Sequence, residues 1–281
     1  MNQKLSLSDK VVLVTGAGQG IGRALIREAL HRGAVPVGVE RDPERAAALE
    51  ADIGQRGAVF FGNVCDMQAM QEIVSQTVTR FGGIDVVIAN AGIERVATFQ
   101  DMPPAMFEEV LETNLLGVYR TIQPTLESVI SRKGHITAIS SIAGLVPFPL
   151  AAAYSTSKSA VDMLMRTLRM ELTGTGTTVG TAYFGFVQTA MSDRIFNDPV
   201  TRQAIERLPS RLLGITPLPT AERTAELILD GVEKRRAHVF APPMVRMTFL
   251  FRGIYALFDG IFARKIMRLP DLIASMRRDR S

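Results

Sequence analysis

Along the chain, short runs of consecutive apolar residues alternate with longer stretches in which apolar positions recur every three or four residues. The short runs are VVLVT (11–15), AVPVGVE (34–40), AVFFG (58–62), IDVVIAN (84–90), HITAIS (135–140), TVGTAYF (178–184) and AHVFAP (237–242). Their Val and Ile residues stand side by side instead of alternating with polar ones, so these read as strands covered on both faces, as in the interior of a parallel sheet. Between them the spacing predicts helices up to about residue 32 and over 43–54, 66–81, 105–131, 151–173 and 220–235. Strands separated by helices require right-handed crossovers. The expected fold class is therefore α/β: a Rossmann-type doubly wound parallel sheet in three αβα layers. Such sheets bind ligands beyond the carboxyl ends of their strands.

The alternation stops near residue 242, which predicts a body over 1–242 and a C-terminal helical extension over 243–281. In the extension, Met247, Leu250, Phe251, Ile254, Leu257, Phe258, Ile261 and Phe262 recur at helical spacing. Arg246, Arg252 and Asp259 interrupt every window long enough to span a bilayer, so a transmembrane helix is not expected. Three readings stay open. The helix packs over the cleft or against a sister subunit, it lies on an anionic membrane surface, or a short helix ends in a disordered basic tail.

Charge follows the same division. Residues 235–281 hold ten Lys and Arg against three Asp, a net +7, whereas residues 1–234 carry 22 basic and 25 acidic side chains, a net −3. The basic balance belongs to an appendage, so no nucleic-acid partner is expected. With 47% apolar and 21% charged residues the chain is composed like a folded domain. Cys65 is its only cysteine, and His31, His135 and His238 lie far apart, so neither an internal disulfide nor a metal site is expected. The start, MNQKLSLSDK, has no apolar signal segment. The expected location is cytoplasmic, with membrane association through the extension as the variant reading.

Directly after the first strand comes TGAGQGIG (15–22), where Gly16, Gly20 and Gly22 are spaced GxxxGxG and a helix is expected to open at Arg23. Glycine lets the backbone approach a pyrophosphate, and the helix N-terminus beyond it offers free N–H groups. Gly16, Gln19, Gly20, Ile21 and Gly22 are therefore candidate cofactor residues. Glu40 ends the second strand, where a carboxylate accepts hydrogen bonds from adenosine ribose hydroxyls and repels a 2′-phosphate. Arg41 pulls the other way, because a guanidinium binds that phosphate. NAD is expected, with NADP as the alternative.

Tyr154 and Lys158 stand four apart on a predicted helix and so share one face. A tyrosine is a poor base at its ordinary pKa near 10, and a nearby ammonium stabilises the phenolate. Ser141 ends the fifth strand, where its hydroxyl can donate to a carbonyl oxygen approached by Tyr154.

With these residues in this order the chain resembles the short-chain dehydrogenase/reductase family. The motifs are TGAGQGIG (15–22), ANAG (89–92), ETNLLGV (112–118), ISSIAG (139–144), YSTSK (154–158) and FGFVQT (184–189). The resemblance implies catalytic roles for Asn114, Ser141, Tyr154 and Lys158: Tyr154 as general acid/base, Lys158 lowering its pKa and holding the nicotinamide ribose, Ser141 orienting the substrate oxygen, and Asn114 anchoring a relay water. It also implies that Asn63 and Val64 flank the adenine, that Asn90, Ala91 and Gly92 support the cofactor edge, and that Val187 and Thr189 meet the carboxamide. Two departures stand out: Asn63 where the family usually has Asp, and Phe184-Gly185 where it usually has Pro-Gly.

By the same analogy the substrate pocket comprises Ile93, Ser141, Ile142, Leu145, Phe148, Phe186 and Met191, an apolar set that favours a small lipophilic alcohol or ketone. The implied assembly is a homodimer or homotetramer. The expected activity is an NAD(P)-dependent oxidoreductase interconverting a hydrophobic secondary alcohol and its ketone. The alternatives are an NADP-dependent carbonyl reductase of the same fold and a non-catalytic nucleotide-sensing or membrane-surface scaffold.

Overall fold

The computed structural model describes residues 4–198, 202, 218–241 and 245–266. Its strands are β1 (Val11–Thr15), β2 (Val35–Glu40), β3 (Ala58–Phe61), β4 (Val86–Ala89), β5 (His135–Ile139), β6 (Thr178–Phe184) and β7 (His238–Ala241). They form one sheet in the order β3-β2-β1-β4-β5-β6-β7, with every neighbouring pair parallel. The order reverses between β1 and β4, and this is where a doubly wound sheet opens a crevice at its carboxyl edge.

The helices are α1 (Gly20–His31), α2 (Pro43–Ile53), α3 (Met67–Phe81), α4 (Pro104–Leu111), α5 (Gly117–Ile122), α6 (Leu126–Ser131), α7 (Ala152–Glu171), α8 (Ala190–Asn197), α9 (Ala221–Glu233), α10 (Val245–Ala256) and α11 (Asp259–Ile261). One sheet face packs Val12, Val14 and Ile88 against Leu25 and Ile26 of α1 and Ile228 and Leu229 of α9. The other packs Leu13, Val87 and Ile136 against Met70 of α3, Val118 of α5 and Val161 and Met165 of α7. The strands are buried from both sides, which is why their sequences show no alternation.

Three boundaries differ from the sequence expectation. Helix α1 opens at Gly20 instead of Arg23, so the glycine loop itself forms the first helical turn. The stretch expected as one helix over 105–131 is interrupted by a π-turn at Glu112–Leu116 and a 3₁₀ turn at Gln123–Thr125. Pro124 removes a ladder donor in the second break, while in the first the Asn114 side chain turns inward to bond the backbone of Ile93. Finally, α8 was not anticipated; it is opened by a capping box between Thr189 and Ser192.

The start of the extension packs on the outer strands. Val245 is buried with Leu145 and Tyr183, and the Phe249 ring lies 4.8 Å from that of His238 and 5.4 Å from those of Tyr183 and Phe240. Arg252 donates to Asp162 Oδ2 at 2.9 Å, and the same buried carboxylate accepts the Tyr183 hydroxyl at 2.5 Å. Burial and this bond push the Tyr183 phenol above its usual range. Arg252 is therefore the residue that docks α10. No helix of the described residues is long and apolar enough to cross a membrane.

His135 sits fully inside β5, its ring nitrogens 2.7 Å from Thr178 Oγ1 and 2.8 Å from Thr137 Oγ1. Burial, with Arg235 and Arg169 nearby, pushes its pKa down to about 3. Below pH 6.5 the unfolded chain takes up a proton here that the folded chain refuses until near pH 3, so stability falls with pH across that window. Between pH 7 and 5 this single group is expected to remove about 2 kcal/mol. Urea titrations at both pH values test it: His135→Gln should show a smaller loss than the parent chain, and an equal loss would refute the assignment.

Candidate active site

The glycine loop is shaped by contact. A Cβ on Gly22 would lie 2.0 Å from the Gly16 carbonyl oxygen and 2.8 Å from Asn90 Nδ2, and Gly16 and Gly20 adopt φ of +64° and +51°. No other residue type meets both demands. Asn90 closes the turn from β4: its Nδ2 donates to Thr15 O at 2.9 Å and Gly16 O at 3.3 Å, and its backbone N–H donates to Thr15 Oγ1. Helices α2, α3, α8 and α9 are capped by Asp42, Asp66, Thr189 and Thr220, but α1 begins at Gln19 without a side-chain cap. Helices α4 to α7 likewise have no side-chain cap, and what distinguishes α1 is that its first residues, Gly20, Ile21 and Gly22, line a cleft.

Glu40, only 5% exposed, accepts from the backbone N–H groups of Gly18 at 2.8 Å, Arg41 at 3.0 Å and Asp42 at 3.1 Å. A Cβ on Gly18 would stand 2.8 Å from that carboxylate. Sequence reasoning passed over Gly18, whose spacing in TGAGQGIG carries the signal. The cleft in front of this loop is lined by Gly16, Gln19, Gly20, Ile21, Gly22, Glu40, Arg41, Asn63, Val64, Asn90, Ala91, Gly92, Tyr154, Lys158 and Thr189 from the expected set. Asn63 Oδ1 already accepts from the Cys65 N–H at 3.1 Å. Val187 lies in the neighbouring apolar pocket.

That pocket abuts the cleft along a shared wall of Ile21, Glu94, Ile139, Tyr154, Thr189 and Met191. Ser141, Ile142, Phe148, Phe186 and Met191 line it as the sequence reading expected. Two expected pocket residues lie elsewhere. Leu145 faces away, buried under Val245 and Tyr183, because the 3₁₀ turn Ile142–Gly144 rotates it toward α10. Ile93 lines the cofactor cleft, its backbone N–H held by Asn114 Oδ1 at 2.8 Å. Of the two family departures, Phe184 is buried with its carbonyl 3.4 Å from Ser141 Oγ, and its side chain helps wall the pocket.

Tyr154 and Lys158 project from α7 into the junction. The Ser141 hydroxyl donates to Phe184 O at 3.4 Å and lines the pocket with Tyr154, and Lys158 Nζ stands 5.6 Å from the Tyr154 ring centre and donates to Ile139 O at 2.9 Å. Asn114, wholly buried, links the machinery to the backbone: Nδ2 donates to Ile93 O at 2.9 Å and to Ser157 Oγ at 3.1 Å. A Cβ on Gly92 would meet Asn114 Oδ1 at 3.3 Å and Lys158 Nζ at 3.5 Å.

One ionisable group in this junction escaped the sequence reading. Glu94 lines both depressions, and burial raises its carboxyl to about 7 while Lys158 pulls it back. Nothing marks it in the sequence except its place two residues after ANAG. Lys158 is lowered by burial to about 8, and Glu94 opposes that shift. Burial, then the Glu94 charge, push the Tyr154 phenol above its usual value, and Ser141 recovers only part. Arg45 and Arg194 also line the cleft and went unremarked, since surface arginines carry no motif.

The profile of the short chain dehydrogenase family matches residues 10–199. Among curated relatives, a Staphylococcus aureus protein named 3-oxoacyl-(acyl-carrier-protein) reductase is 32% identical over 210 residues, covering 73% of this chain and 85% of its own. Proteins of the same name from Haemophilus influenzae and Vibrio cholerae are 30% and 29% identical, covering 74% and 75% of this chain and 86% of their own lengths. A glycine-built cleft at the strand-order reversal, a Ser141–Tyr154–Lys158 junction beside it and these matches lead to one conclusion: the chain belongs to the short-chain dehydrogenase family of NAD(P)-dependent oxidoreductases.

Proposed function

We propose that the protein interconverts a lipophilic ketone and its secondary alcohol. The observation that carries this is the convergence of Ser141, Tyr154 and Lys158 where an apolar pocket meets the glycine-lined cleft. The cleft fits a dinucleotide: Gly16, Gly20 and Gly22 line it without side chains, the first turn of α1 borders it, and Glu40 sits at the end of β2. The bound nicotinamide supplies the hydride.

The chain's own residues handle the oxygen and its proton. The Ser141 and Tyr154 hydroxyls donate to the carbonyl oxygen and polarise it, and as the carbon is reduced Tyr154 transfers its proton to that oxygen. The Lys158 ammonium then balances the phenolate charge, and Asn114 holds the Ile93 backbone and Ser157 beside it. The relatives' names, each a 3-oxoacyl reductase, support a ketone within an acyl chain as the substrate type.

Glu40 supports NAD, because a buried carboxylate on the cleft wall at the end of β2 would repel a 2′-phosphate bound there. Arg41, Arg45 and Arg194 on the same cleft favour the phosphorylated form. The carboxylate stands at the ribose end and is fixed by three amides, so we assign NAD. NADH should therefore raise the melting temperature more than NADPH at equal concentration, and the reverse order would assign NADP.

Reduced-nicotinamide absorbance followed with a panel of lipophilic ketones and 3-oxoacyl thioesters tests the activity. Tyr154→Phe is expected to lose at least about a hundredfold in kcat/KM, and undiminished turnover would sink the mechanism. In the reductive direction kcat/KM should fall above about pH 8 as Lys158 loses its proton. Glu94→Gln removes the charge that props this lysine up, so the alkaline limb should move to lower pH; a limb that stays in place or moves upward contradicts the role given to Glu94.

A further inference from the structure

Helix α10 is apolar on two sides, and the described residues cover one of them. Val245, Phe249 and Arg252 turn inward against Tyr183, Phe240 and Asp162. The opposite side presents Met247, Leu250, Phe251 and Ile254, 41–59% exposed, and continues into Leu257, Phe258 and Ile261, 52–79% exposed. Folded chains rarely leave a continuous apolar strip of this size to water unless something binds it.

The charges around the strip identify what covers it. Arg246 borders it at one end and Arg264 and Lys265 at the other, all exposed, and Asp259 is the only acidic residue between 245 and 266. Arg268, Arg277, Arg278 and Arg280 follow in the sequence against Asp271 and Asp279. A second copy laid antiparallel on the same face would bring Arg246 of each chain against Arg264 and Lys265 of the other, and like charges at a rim oppose association. An anionic lipid surface neutralises both ends and accepts the apolar strip at the boundary of headgroups and acyl chains. Position points the same way. Val245, the first residue of the helix, belongs to a cluster with Leu145 and Tyr183 against which Ile142 packs, and Ile142 is a wall of the apolar pocket.

We propose that the outward face of Val245–Ala256, with the segment to Ile266, is a docking surface for an anionic phospholipid bilayer, placed so that the wall of the lipophilic pocket lies beside the lipid. The inward contacts of α10 with Asp162, Tyr183 and Phe240 hold the body to this anchor without any membrane-spanning segment among the described residues. The membrane contact stands independently of the substrate assigned above, because it uses none of the residues at the Tyr154 junction.

Sedimentation of the full chain with phosphatidylcholine vesicles, pure or with about a quarter phosphatidylglycerol, tests the proposal. At low salt the partition onto anionic vesicles should exceed that onto neutral ones by at least about tenfold and should weaken as salt is raised. The double substitution Leu250→Gln and Ile254→Gln, at two exposed positions, should reduce anionic binding by about tenfold while leaving the melting temperature near that of the parent. The proposal is overturned if the parent chain ignores vesicles, if it binds neutral and anionic vesicles equally, or if the double variant binds as well as the parent. It is also overturned if the double variant instead splits a parent dimer that shows no lipid dependence, since the strip would then belong to a second copy.

Discussion

The crossing of α1 over the end of β1 is the contact on which the rest of the site depends. Gly22 passes so close to the Gly16 carbonyl that a methyl group there would stand 2.0 Å from the oxygen. That proximity lets α1 start immediately after the strand, aims its uncapped N-terminus into the crevice, and brings Gly18 within hydrogen-bond reach of Glu40. Asn90 then locks β4 to the same turn, so ANAG and TGAGQGIG act as one structure although about seventy residues of chain separate them. A larger side chain at either glycine would displace the strand end, the helix start and the ribose-side carboxylate together.

Electrostatics in the junction follow from burial more than from pairing. Lys158 is desolvated and bonded to a neutral carbonyl, so its proton is held less tightly than in water, and Tyr154 is desolvated and holds its proton more tightly. Glu94 couples the two. Its charge favours the ammonium and disfavours the phenolate, which keeps the phenol protonated and the lysine charged, the combination a proton donor requires. Glu94 lines both the cleft and the pocket beside these two groups.

The extension and the body are joined through a buried carboxylate. Asp162 lies on α7, the helix that carries Tyr154 and Lys158, and it collects the Tyr183 hydroxyl from β6 and the Arg252 guanidinium from α10. Removing either partner would leave charge in a low-dielectric interior, a costly state. The same helix therefore holds the reactive groups and, one turn beyond Lys158, the carboxylate that anchors the C-terminal segment.

Much of this architecture was legible from residue order alone. Unalternating Val and Ile runs imply strands buried on both faces, glycines after the first run imply a close backbone approach, and a four-residue spacing puts Tyr154 and Lys158 on one helical face, because each is a local consequence of backbone geometry. What tertiary structure alone decided are the contacts between distant segments. Asn114 lies in a π-turn and bonds the Ile93 backbone, 21 residues away, a pairing no local spacing announces. Leu145 leaves the pocket because Val245 arrives from the far end of the chain to cover it. Arg252 reads in sequence as a charge interrupting an apolar stretch, and it becomes a docking residue only when folding buries Asp162 opposite it. Glu94 has no motif because its role comes from which groups lose water around it, and desolvation is a property of the assembled interior, invisible to local spacing.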